Sequence, residues 1–152
     1  MKRMIIILLM TVLSAGMAEA QEGLFVEDLF EGRIIPRSMM DQTLITGSRL
    51  KQYGLDTYRS LNFTVGEPMF QDVEEMVLKD ALGSDDQETS YTDGRLTYAI
   101  ICLPQTATGL NRFLCFQAKK RKKLWDITLV YLRGTATVSD LDKMFNKKKT
   151  KG

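Results

Sequence analysis

The side chains with the most chemistry to offer are Cys102 and Cys115, the only two cysteines in a chain of 152 residues that contains no histidine. Without imidazole, Ser-His-Asp and Cys-His nucleophilic catalysis and the commonest transition-metal sites are excluded within the chain. Zinc needs four ligands, and two thiolates would have to be completed by carboxylates alone. No metal and no cofactor is therefore expected. Both cysteines sit in apolar, β-rich runs, "RLTYAIICL" and "RFLCFQAKK". A hairpin loop centred between Gln105 and Asn111 sets Cys102 directly opposite Cys115, where β-carbons come within reach of a disulfide. Oxidation is permitted outside the cytosol, and two buried free thiols fit the same residues equally well. A redox pair is the third reading. It suits the sequence less, because a depressed thiol pKa is the property of Cys-x-x-Cys at a helix N-terminus.

Lys119, Lys120, Arg121, Lys122 and Lys123 form a basic run beside Trp125. Such a group can grip phosphates and offer a stacking face, so an anionic surface or polymer is the alternative partner. The plainer reading is a hairpin turn whose like charges stay wet and protect a strand edge. Ser48 and Lys51 match Ser-x-x-Lys, but neither Ser-x-Asn nor Lys-Thr-Gly accompanies them. Asp85, Asp86, Glu88 and Asp93 supply oxygen ligands of the kind calcium takes, without the alternation and glycine of an EF-hand loop, so a solvated loop is expected there. Asn62-Phe63-Thr64 is a glycosylation sequon, meaningful only in a eukaryotic secretory route.

The N-terminus says where these groups would work. Lys2 and Arg3 precede the uncharged run "MIIILLMTVL", and Ala18 and Ala20 bracket Glu19 in the small-x-small pattern of a signal-peptidase site. Residues 1–20 are read as a signal peptide, residues 21–146 as one exported domain and residues 147–152 as a disordered basic tail. The apolar run is too short to span a bilayer. No cysteine stands beside it for lipidation, and no later run is apolar enough to cross. Of 21 basic and 19 acidic residues the leader removes Lys2, Arg3 and Glu19, leaving a net charge of +1, which names no partner and gives no reason to expect nucleic acid. A chain of this length buries enough apolar surface to fold without a staple.

The elements that must position the candidate residues are an α+β set. "GLFVEDLFEG" predicts a short helix stopped by Gly32. "DQTLITG" and "TYRSLNFTV" read as strands, with a helical turn between them ended by Gly54. "EPMFQDVEEMVLKDALG" is the main helix: Pro68 suits its first position, Phe70, Val73, Val77 and Ala81 form its apolar stripe, and Gly83 ends it. "SDDQETSYTDG" reads as a polar loop turning at Asp93 and Gly94. Three strands then form an antiparallel meander, and Ser139 is the expected N-cap of a last helix with Leu141, Met144 and Phe145 on its dry side.

Taken in order, "AQEGLFVEDLFEGRIIP", "LITGSRLKQYGLDTYRSLNF", "NRFLCFQAKK" and "DITLVYLRGTATVSDLDKMF" resemble a family of small exported proteins of unknown function from Bacteroidota. The resemblance implies a periplasmic or surface location and carries over no activity, cofactor or catalytic residue. The expectation is a non-catalytic exported module that binds a protein or envelope component.

Overall fold

A computed structural model describes residues 24–143. The expected signal peptide, Met144, Phe145 and the basic tail lie outside the described residues. The chain enters through one helical turn, α1 (Glu27–Phe30), and Gly32 then takes φ +74, the left-handed stop its type predicts. Strand β1 (Asp41–Thr46) leads through a 3-10 stretch, Ser48–Tyr53, ended by left-handed Gly54, into β2 (Leu55–Gly66). Helix α2 (Glu67–Leu82) follows, then β3 (Asp86–Thr92), β4 (Arg95–Leu103), β5 (Asn111–Arg121) and β6 (Leu124–Gly134). A final helix, α3, occupies 138–143.

All six strands lie in one antiparallel sheet of order β1-β2-β6-β5-β4-β3. The β4-β5-β6 meander is extended by β3 on one side, while β2 returns to pair with β6 on the other. Residues 86–92 are thus a strand, not the polar loop expected. Their side chains are mostly exposed, because an edge strand lying clear of both cores carries no apolar alternation to announce it. Asp93 and Gly94, both at positive φ, make the tight turn into β4.

Helix α2 lies on one sheet face, where Phe70, Val73, Val77 and Ala81 pack with Leu61, Phe63, Ile101, Phe116, Ile127 and Leu129. Glu67 holds its first position and Pro68 the second, one place later than expected, since Gly66 ends β2 in extended geometry and serves as the N-cap. Arg95 pairs with Glu67 and with Glu74, at 3.4 Å for the latter, fastening the first turns of α2 to β4. Farther along, buried Asp80 accepts the backbone N–H groups of Phe25 at 2.7 Å and Val26 at 3.1 Å, which holds the N-terminal segment on the core.

Among the described residues, the opposite face is covered only at one end, by the cluster of Leu50, Leu55, Phe113, Leu132, Ala136 and Leu141. There β6 approaches the 3-10 turn so closely that a Cβ on Gly134 would stand 2.3 Å from the Gly54 carbonyl oxygen. Thr137, not Ser139, caps α3: its hydroxyl accepts from Asp140 N–H at 3.3 Å and Asp140 Oδ2 accepts from Thr137 N–H at 2.9 Å, a capping box shifted two residues upstream of the expected one. Among the described residues no helix is long and apolar enough to cross a membrane.

Candidate functional site

Alternation along each strand sends Tyr98, Ile100 and Cys102 of β4, Phe113, Cys115 and Gln117 of β5, and Thr128, Val130 and Leu132 of β6 to the face away from α2. Where the small core of that face stops, a half-open hollow of about 640 Å³ remains. Ile100, Cys115 and Val130 form an apolar floor. Glu88 and Ser90 come from β3, Gln117 and Thr128 stand along the strands, and Asp142 of α3 closes one side. Among the described residues, Glu88 and Asp142 are the charged side chains of the lining, and both are acidic.

The two thiols and the Tyr98 phenol on this face are held neutral. Burial pushes the Cys115 thiol up to about 12, with Cys102 adding to the rise. Cys102 is raised by burial and by Asp86 and Asp85. The Tyr98 phenol rises through burial first, then through Cys115, Glu88 and Asp142. At neutral pH the thiols and phenol are therefore uncharged, and these cysteines are the opposite of activated nucleophiles.

The expected register of the two cysteines is corrected. Cys102 faces Phe113 and Cys115 faces Ile100, so the thiols are diagonal neighbours on one face and are free in the structure. Diagonal positions lie roughly 7–8 Å apart, beyond the β-carbon separation of about 4 Å that a disulfide requires. The displacement by two residues arises in the loop after Leu103. Its turn is drawn around Thr106, whose N–H donates to Leu110 O at 3.0 Å and whose hydroxyl accepts from Leu110 N–H at 3.0 Å. The last ladder pair becomes Leu103 with Arg112.

The basic run is not gathered into one surface. Lys119, Lys120 and Arg121 belong to β5 and alternate between faces, leaving Lys122 and Lys123 at the hairpin tip, with Lys122 at φ +58. Arg121 pairs with Asp126 at 3.7 Å. Trp125 does not serve as the expected stacking face. It is buried toward α2, stacked on Phe70 at 3.9 Å between centroids, and donates its indole N–H to Glu67 at 2.5 Å. The Lys120 ammonium lies 5.7 Å from that ring's centroid.

Ser48 and Lys51 are exposed on the 3-10 stretch. Asp85, Asp86, Glu88 and Asp93 are strung along β3 and its ends, and among the described residues no group of three or more acidic or thiol side chains could hold a metal. Asn62 of the sequon is half-buried and donates to Asp126, Ile127 O and Thr128, the last at 2.9 Å. Sequence reasoning missed Glu88, Ser90, Tyr98, Gln117, Thr128 and Asp142 as one lining. Their signal was the alternation of Tyr98, Ile100 and Cys102 in β4, which becomes one wall of a lining only once β3 is recognised as a strand.

No curated protein and no solved structure matches this chain. A match to a family of unknown function spans residues 13–145, taking in all the described strands and helices and the described lining of the hollow, and by that extent the chain belongs to the family of unknown function DUF6108.

Proposed function

We propose that this chain is a non-catalytic exported module that works in the periplasm or at the cell surface and binds a protein or envelope component through the open face of its sheet. The leader-like N-terminus, with Lys2 and Arg3 before an apolar run and Ala18 and Ala20 at its end, supports export. The observation that carries the binding reading is the hollow over Ile100, Cys115 and Val130. Its volume falls in the range of small-ligand sites, roughly 300–1,000 Å³, and it combines an apolar floor with a few polar groups as such sites do. The raised Cys115 thiol in the floor favours recognition over covalent chemistry. With Glu88 and Asp142 as its charges, the hollow suits a neutral or cationic group carried on an apolar body.

The test is a titration of the mature, isotopically labelled chain with phenethylamine and, separately, with 3-phenylpropionate. The amine is expected to move the resonances of Tyr98, Cys115 and Val130, and Glu88→Gln to weaken it several-fold. Equal binding of the acid, or shifts confined to other surfaces, overturns the reading. Salt-sensitive binding to anionic vesicles that is lost on replacing Lys119 to Lys123 with serine would favour the basic turn instead.

A further inference from the structure

The second surface lies at the far edge of the sheet and is independent of the hollow. We infer that β1 is a pairing edge that joins two copies of this chain, strand to strand and antiparallel, into one continuous sheet. As the terminal strand beside β2 among the described residues, β1 has one ladder of backbone groups that no described strand meets. All its side chains are exposed except Ile45, which is half-buried against the small second core.

Natural edges are usually blunted by charge, proline or a bulge. Strand β1, "DQTLIT", carries a single charge, at its first residue, has no proline, and pairs with β2 through six consecutive residues without a register break. The opposite edge is guarded: β3 bears Asp86 and Glu88, and its pairing with β4 breaks register between Ser90 and Tyr91. One end of the sheet is defended and the other is not. The undefended one also carries exposed apolar side chains, Leu44 at 66% and, in the Arg37–Met39 turn leading into it, Met39 at 63%.

The sequence of β1 selects a second copy as the occupant. In a two-fold antiparallel pairing, residues whose backbone groups point outward must meet their own kind, so only same-parity registers exist. Centred on the strand, these set Thr43 against Thr43 with Asp41 against Ile45, or Leu44 against Leu44 with Gln42 against Thr46. Neither opposes like charges; the first pairs Thr43 with itself, and the second pairs Leu44 with itself and Thr43 with Ile45 across the seam. The hollow, bounded by β3, β4, β5 and β6, stays open in such a dimer.

Sedimentation velocity of the mature chain over a concentration series from about 1 µM to 1 mM, spanning common subunit affinities, reads this directly. A dimer fraction that rises with concentration is expected, accompanied by concentration-dependent protection of β1 amides from hydrogen exchange. Thr43→Lys and Leu44→Lys place a lysine against its own copy in one register each, so at least one should raise the dimer Kd tenfold or more. Gln87→Lys on β3 should leave it unchanged. Melting temperatures equal to the parent's establish that the variants fold, as expected for exposed positions. A chain monomeric throughout the series, or a dimer that survives both β1 variants or is lost in the β3 control, overturns the inference.

Discussion

Replacing Asp80 with alanine tests what holds the N-terminal segment against the sheet. The carboxylate is 5% exposed and receives two backbone N–H groups, from Phe25 and Val26, with Arg112 acting on it electrostatically. Hydrogen bonds to a charged group contribute about 1.5–3 kcal/mol each, so the pair could supply about 3–6 kcal/mol. Burial works against that sum. It raises the Asp80 pKa above its usual value despite the two amides and Arg112, which means that desolvation outweighs what those partners return. A net loss of about 2–3 kcal/mol is expected for Asp80→Ala, and about 1 kcal/mol for Asp80→Asn, which keeps one acceptor and has no charge to desolvate. The loss should be local first: Val26, Leu29 and Phe30 are fully buried and depend on this anchor, so their amides should exchange faster than those of β5 and β6. The pH dependence has a defined sign. A carboxyl raised in the folded state contributes stability that is full below its unfolded pKa, near 3.8, and is lost as pH rises through the folded value. The wild type should therefore gain on the Asn variant as pH falls through that window. Urea unfolding at neutral and acidic pH with amide exchange checks all three. An alanine variant of unchanged stability and unchanged exchange at residues 25–30, or a pH trend of opposite sign, refutes the reasoning.

Gly134→Ala would place a Cβ 2.3 Å from Gly54 O and 2.6 Å from Leu55 Cα, both backbone atoms, so β2 and β6 must part where their register already shifts between Leu55 and Thr57. Chemical denaturation should register a loss of about 2 kcal/mol or more, and a neutral substitution would contradict the close approach. With Cys115 pushed up to about 12 and Cys102 raised, both thiols should react slowly with a disulfide reagent at pH 8 until denaturant is added. Rapid native labelling would expose an activated thiol and reopen redox chemistry.

How much of this was legible in the sequence depended on whether an element buries one face. Helix α2 was readable from Phe70, Val73, Val77 and Ala81 because each of them is buried on one stripe. Strand β2 was readable at Leu61 and Phe63 for the same reason, although its other face is not simply wet: Tyr58 packs on the small second core. Strand β3 was not readable, since a strand bare on both faces has the composition of a loop. The cysteine register failed for a different cause. A loop's length does not fix which residues it spends on its turn, and the Thr106–Leu110 bonds set that locally. The same two errors hid the hollow, because its lining needs β3 in the sheet and Cys115 opposite Ile100. Trp125 was misassigned because a strand's alternation, not proximity to lysines, decides which face a ring occupies.

The chain has a single tryptophan, and its position makes the protein its own optical gauge. The indole lies flat on Phe70, within 10° of parallel, and is tethered through its N–H to Glu67, the first residue of α2. Its fluorescence therefore reports a mechanical event, the seating of the helix's leading turn on the sheet. A ligand entering from the far side of the sheet should leave that emission steady, while any process that lifts the helix should shift it toward the red, so one spectrum separates occupancy from undocking without a label.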